Sequence, residues 1–211
     1  MDARAWDERY ATRELVWSQT PNQFVESELA PLSPGRALDV ACGEGRNALW
    51  LAERGWAVTA VDFSGVALDK AATLLARRTT AELDVSFQCA DALTYDDGAA
   101  SYDLVLMAYL QLVAEQRRLV VRRSFEWVKP GGTLLFVAHD ASNIAEGTGG
   151  PQDPAVLCTA TDVLADLDGE RFEVLRADRV ARVVAPTQAG HQHVGKESGT
   201  AYDVLVRVVR T

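Results

Sequence analysis

The chain has 211 residues, 30 of them acidic against 21 basic, for a formal net charge of −9. That length suits one domain with a sizeable core and leaves no comfortable room for a second substrate domain. The acidic balance argues against a nucleic-acid backbone or an anionic membrane as main partner. The charged opening MDARAWDERYATRE carries no signal segment, and no apolar run approaches the roughly twenty residues of a membrane span. A cytoplasmic protein is expected.

Met1 to Thr12 reads as a short helix with Trp6 and Tyr10 on one face, a pair that suits core packing. Leu15 to Phe24 is an aromatic stretch around Trp17, with Pro21 and Asn22; it reads either as a lid beside a strand-end cleft or as packing on a sheet edge. A helix follows from about Asn22 to Leu29, and Pro31, Pro34 and Gly35 punctuate the approach to the first strand. Arg36 to Ala41 then gives the apolar run of a strand buried on both faces, broken by Asp39 near its exit. Gly43 and Gly45 follow, where a backbone without Cβ atoms can turn tightly and approach a ligand. A helix starts near Arg46 or Asn47 and stops at Gly55, and Ala57 to Val61 is a second buried strand ending at Asp62. An acid about twenty residues beyond such a turn sits at the next strand end, where it can accept both hydroxyls of a ribose. Residues 36–62 are therefore a nucleoside-binding half-fold.

Ser64 is placed to cap a helix from about Gly65 to Arg78, and Asp84 to Cys89 makes a third strand that leads into Ala90-Asp91-Ala92. Asp91 could accept a hydrogen bond from an exocyclic amine or simply hold a turn. Tyr102 to Met107 is a fourth strand with Ala108, Tyr109 and Gln111 at its exit, followed by a helix over about Ala114 to Val128. Lys129-Pro130-Gly131-Gly132 reads as a turn into a fifth strand, Thr133 to Ala138, with His139 and Asp140 beyond it. Ala141 to Pro154 reads as a long loop of the kind kept for function. A helix over Thr161 to Asp168 precedes strands Phe172 to Val184 and Ala201 to Val209, joined by a linker that holds His191 and His193. The alternation predicts an α/β fold, a Rossmann-like, doubly wound, seven-stranded sheet. It should be mostly parallel with a C-terminal antiparallel hairpin and helices on both faces.

Cys42, Cys89 and Cys158 lack C-x-x-C spacing, which suggests neither a disulfide framework nor a thiolate zinc site. Cys42 lies at a helix start, where a thiolate would be stabilised, and reads either as reactive or as a small residue against the ligand. His191 and His193 have the spacing of a metal pair, but no third ligand is evident, so no metal is expected.

With these elements in place, the chain resembles the class I S-adenosylmethionine-dependent methyltransferases from Arg36 to Arg210. The likeness rests on DVACGEG at Asp39 to Gly45, Asp62, Ala90-Asp91, Pro130-Gly131-Gly132 and the closing hairpin. WDERY at Trp6 to Tyr10 and CGEGRN at Cys42 to Asn47 resemble the small tellurite-resistance and thiol-methyltransferase-like enzymes. The family's turn often begins with glycine where this chain has Ala41. The resemblance implies a single methyltransferase domain over residues 1–211, with a helical or lid segment over 1–34 and the core over 35–211.

It also implies S-adenosyl-L-methionine as cofactor. Asp39 and the turn of Ala41, Cys42, Gly43 and Gly45 would hold its methionine end, Asp62 its ribose, and Phe63 its adenine face, with Asp91 and the Ala92 backbone at the adenine amine. Asn47, with Arg46, would orient the turn or reach the cofactor carboxylate, although Arg46 reads equally as a surface residue; Met107 completes the cofactor set. Trp17, Tyr109 and His139 are expected on the acceptor side, and His193 is the first candidate for a general base, with His139 behind it. A thiol or chalcogen acceptor, partly ionised near neutral pH, needs no base. A small-molecule acceptor is expected, with no nucleic acid and no membrane as partner, and nothing in the sequence sets the oligomeric state. Two alternatives remain: a nicotinamide-dependent oxidoreductase, since Gly43, Gly45 and Ala48 satisfy G-x-G-x-x-A, and a non-catalytic nucleotide-binding protein.

Overall fold

The computed structural model describes residues 3–12, 15–16, 18–78, 82–184 and 198–211. Seven strands form one sheet in the order β3-β2-β1-β4-β5-β7-β6. They are β1 (Arg36–Val40), β2 (Ala57–Asp62), β3 (Val85–Cys89), β4 (Tyr102–Ala108), β5 (Val128–His139), β6 (Phe172–Val184) and β7 (Gly199–Arg210). The first five pair in parallel, and β7 lies antiparallel between β5 and β6. The expected hairpin is therefore present, with its second strand on the inside.

The helices are α1 (Ala3–Ala11), α2 (Gln23–Leu29), α3 (Arg46–Glu53), α4 (Gly65–Arg78), α5 (Ala114–Trp127), α6 (Asn143–Glu146) and α7 (Ala160–Asp166). Alternation along the central strands sends side chains to two cores. Leu38, Val40, Val105 and Met107 pack on the α5 side, while Ala37, Leu104 and Leu106 pack on the other with Leu51 of α3. Strand order reverses between β1 and β4, so their carboxyl ends splay apart there and open a crevice, the usual ligand site of an open α/β sheet.

Two expectations need correction. Pro130-Gly131-Gly132 is not a turn ahead of β5 but lies within it, where the pairing with β4 shifts register between Tyr102 and Leu104. Proline offers no N–H to the ladder and Gly131 takes φ 81°, so the strand bulges without ending. The stretch read as a continuous loop from Ala141 to Pro154 contains α6, and Asp140 bridges to Cys158 at its base.

Candidate functional site

The turn after β1 is held in shape by backbone bonds. Cys42 N–H donates to the Val61 carbonyl at 3.0 Å, and Gly45 N–H to the Cys42 carbonyl at 3.0 Å. Ala41, Gly43 and Gly45 all take positive φ, at 60°, 56° and 76°. Ala41 adopts this conformation against the preference of a residue with a Cβ, a strain that clusters at ligand-holding turns. Gly45 is needed for a different reason than expected. A Cβ there would stand 3.0 Å from the Ala71 Cβ and 3.3 Å from the Phe87 ring, so it permits α4 and β3 to pack closely instead of facing the crevice.

Asp62, at the end of β2, is 5 % exposed. Its Oδ2 accepts the Gly43 N–H at 2.8 Å and its Oδ1 the Ser64 N–H at 2.9 Å, so the acid ties the glycine turn to the start of α4. Burial raises its pKa, the Ser64 and Gly43 N–H groups pull it down, and the nearby Asp7 charge raises it again. Asp39, at the end of β1, is 1 % exposed, and neither of its oxygens has a hydrogen-bond partner. Burial, and then the Asp62 charge, push it up to about 7 against weaker relief from Arg46 and the Ala48 N–H. A buried carboxylate without partners is costly and calls for a ligand to complete it. Cys42 is pushed well above the usual thiol range by burial and by Asp39 and Asp62, which leaves it as the small residue on the wall and not a thiolate.

These groups surround a cavity of about 620 Å³. Ala41, Cys42, Gly43 and Asn47 form one wall, Asp62 and Phe63 a second, and Asp91 and Ala92 a third. Asp91 Oδ1 accepts the Leu93 N–H at 2.8 Å and so shapes its own turn. Arg46 also lines the cavity, correcting its reading as a surface residue, and burial lowers its pKa. Tyr109, from the β4 exit, closes a further side at φ 62°. The Tyr109 hydroxyl donates to Asp203 Oδ2 at 2.8 Å and accepts from Asn22 Nδ2 at 3.1 Å. Asp203, fully buried on β7, also accepts Arg182 Nε at 2.8 Å and lies 3.1 Å from His139 Nδ1. Burial alone would raise the Asp203 pKa, but His139 and Arg182 outweigh it and hold it low.

Four expected site residues do not reach the cavity wall. Asp39 lies two residues before Ala41, and Gly45 faces α4. Met107 points to the α5 side, where Ser124 Oγ meets its sulfur at 3.5 Å, because strand alternation turns it away. His139 is 4 % exposed and stacks behind Tyr109 with ring centroids 4.9 Å apart, so it supports the aromatic wall and does not touch the cavity directly. Trp17, His191 and His193 lie outside the described residues.

Sequence reasoning missed Asp203, whose signal was an acid directly ahead of the apolar stretch Val204 to Val206 of β7. It also missed the cavity role of Trp6 and Tyr10, whose rings, 5.5 Å apart, read as a packing pair yet line the opening.

Residues 37–132 match the methyltransferase domain family. A thiocyanate methyltransferase of Brassica oleracea is 29% identical over 90% of this chain and 78% of its own length. A ubiquinone biosynthesis O-methyltransferase of Idiomarina loihiensis is 32% identical over 54% of this chain. Among solved structures, the N-methyltransferase NodS from Bradyrhizobium japonicum, in complex with S-adenosyl-L-homocysteine, superposes with a TM-score of 0.71 at 16% identity over 100% of this chain and 99% of its own. Residues 37–132 thus carry a methyltransferase-domain match, and the chain is similar over its length to S-adenosylmethionine-dependent methyltransferases. The domain match and these methyltransferase relatives support an S-adenosylmethionine-dependent methyltransferase over the nicotinamide alternative. The chain spans 46% of the Idiomarina enzyme and 23% of a phosphoethanolamine N-methyltransferase of Arabidopsis thaliana, about half or less of the length of these curated relatives.

Proposed function

We propose that this protein transfers the methyl group of S-adenosylmethionine to a small molecule, with a thiol or chalcogen nucleophile as the favoured acceptor. The observation that carries the cofactor assignment is the pair of acids at adjacent strand ends. Asp62 keeps free lone pairs beside its two backbone bonds and faces the cavity, while Asp39, buried behind the cavity wall, makes no full hydrogen bond and has only weak relief from Arg46 and the Ala48 N–H. A ligand with ribose hydroxyls for the first and positive charge near the second relieves both. Phe63 offers an apolar face to a base, Asp91 Oδ2 an acceptor to its amine, and Arg46 a counter-charge to a carboxylate.

When bound, the cofactor supplies a sulfonium methyl that is already activated for displacement. The residues therefore have to orient, exclude water and place a nucleophile in line, which can supply up to ~7–11 kcal/mol of the barrier. Tyr109, fixed by Asn22 and Asp203, is the residue we assign to the acceptor side. A cavity of about 620 Å³ suits a cofactor with a small partner. The net charge of −9 opposes a polyanionic acceptor. The relative covering 90% of the chain is a thiocyanate methyltransferase, which favours a sulfur nucleophile. If the acceptor must lose a proton, His193 is the base we propose, because an imidazole titrates in the range where a general base works near neutral pH.

The test is a methyl-transfer panel with hydrosulfide, alkyl and aryl thiols, a catechol, an amine and an RNA oligonucleotide, reading formation of S-adenosylhomocysteine. Turnover concentrated in the sulfur nucleophiles supports the reading; turnover confined to the catechol, amine or RNA refutes the acceptor class. A base role requires His193→Ala to lose turnover with the least acidic thiols while keeping it with those already ionised.

A further inference from the structure

The WDERY stretch lies on α1, and three side chains of this helix, Ala3, Trp6 and Tyr10, line the same cavity as Asp62 and Phe63. An apolar cluster of Tyr10, Val16 and Ala67, with Trp6 and Val66, packs the helix on α4, and polar contacts fix its register. Asp7 Oδ1 accepts a hydrogen bond from Ser64 Oγ and lies 3.4 Å from the Val66 N–H, at the first turn of α4. Ser64 is fully buried, and its hydroxyl also accepts the Ala67 N–H at 3.1 Å. Its own N–H meets Asp62 Oδ1 at 2.9 Å. An unbroken chain of contacts thus runs from α1 through Asp7 and Ser64 to the acid assigned to the ribose.

Farther along, both Glu44 oxygens accept the Val16 N–H at 3.0 Å, and Lys70 joins Glu44 to the Tyr10 carbonyl. Glu44 is 2 % exposed and lies between the two glycines of the turn. The N-terminal segment is therefore fastened at both ends to the elements that would hold the cofactor, and its aromatic pair sits over the opening.

Resting on the methyltransferase reading, we propose that α1 is a wall of the cofactor site and that Asp7 is its positioning residue, latching Trp6 over the bound nucleoside through Ser64. The latch slows cofactor release. An asparagine at position 7 retains an oxygen that can accept both the Ser64 hydroxyl and the Val66 N–H, whereas an alanine accepts neither.

The experiment is stopped-flow dissociation of S-adenosylhomocysteine from wild type, Asp7→Ala, Asp7→Asn and Trp6→Ala in the full chain, followed by tryptophan fluorescence and displacement with excess S-adenosylmethionine. Loss of a charge-assisted bond should speed dissociation from Asp7→Ala about tenfold, with Asp7→Asn restored to within about threefold of wild type. Trp6→Ala leaves the cap of α4 intact and should also dissociate faster, which keeps the test decisive if Asp7→Ala folds poorly. Wild-type dissociation rates in both alanine variants overturn the proposal, as does an Asp7→Ala defect confined to equal loss of stability in the free and bound protein. Failure of wild-type protein to bind S-adenosylhomocysteine would instead overturn the methyltransferase reading beneath it.

Discussion

Replacing Asp39 with asparagine should stabilise the free protein while weakening its hold on the cofactor. The carboxylate is 1 % exposed, has no partner on either oxygen, and is shifted from 3.8 to about 7. At ~1.4 kcal/mol per unit, keeping it ionised above that pH costs about 4 kcal/mol relative to the unfolded chain. An amide of the same shape removes the charge but leaves an unpaired polar group worth about 1–3 kcal/mol, so a net gain of about 1–3 kcal/mol is expected at pH 8.

The pH dependence follows from the direction of the shift. Between 3.8 and about 7 the native protein holds a proton that the unfolded chain has released. The contribution of Asp39 to stability is therefore greatest in acid, is lost as pH rises through that interval, and is flat above it. Urea unfolding of wild type and Asp39→Asn at pH 5 and pH 8 should show the advantage of the variant shrinking by roughly 3 kcal/mol at the lower pH. Calorimetry should show affinity for S-adenosylhomocysteine reduced at least about tenfold. A variant no more stable than wild type at pH 8, with a gap that does not change with pH, would refute the picture of a strained acid awaiting a ligand.

Two further substitutions divide the site. Asp62→Asn should weaken S-adenosylhomocysteine binding by about 1–3 kcal/mol and also lower the melting temperature, because an amide cannot accept from both the Gly43 and the Ser64 N–H without turning its NH₂ toward one of them; unchanged calorimetric affinity in a folded variant would remove the ribose assignment. Tyr109→Phe deletes the hydroxyl shared by Asn22 and Asp203 but leaves Asp203 its contact with Arg182. Steady-state kinetics should show the acceptor KM raised about tenfold with cofactor affinity unmoved, and the reverse pattern would transfer Tyr109 to the cofactor side.

The half-fold from Arg36 to Asp62 was legible because its signals are local: an uninterrupted apolar run, glycines where φ must be positive, and an acid at a fixed chain distance. The closing hairpin was legible from the missing helix between the last two strands. What escaped was set by packing across elements. Met107 and Tyr109 are two residues apart at one strand exit, yet only Tyr109 reaches the cavity, because the backbone turns to φ 62° there and leaves the strand alternation. His139 looked like a contact residue at a strand end, but its neighbour across the ladder is Asp203, which places it behind Tyr109. Trp6 and Tyr10 gave the spacing of a packing pair, and the spacing is the same whether the far side of the face is core or ligand. The proline and glycines of β5 were read as a turn because nothing local distinguishes a turn from a bulge inside a longer strand.

The central claim is that Asp62 and the glycine turn, with the Asp39 charge buried behind them, hold S-adenosylmethionine. Calorimetric titration of the wild-type protein with S-adenosylmethionine, S-adenosylhomocysteine and NAD tests it most directly. Binding of the first two with no heat from NAD is the predicted result. Binding of NAD alone, or of none of the three, would contradict it.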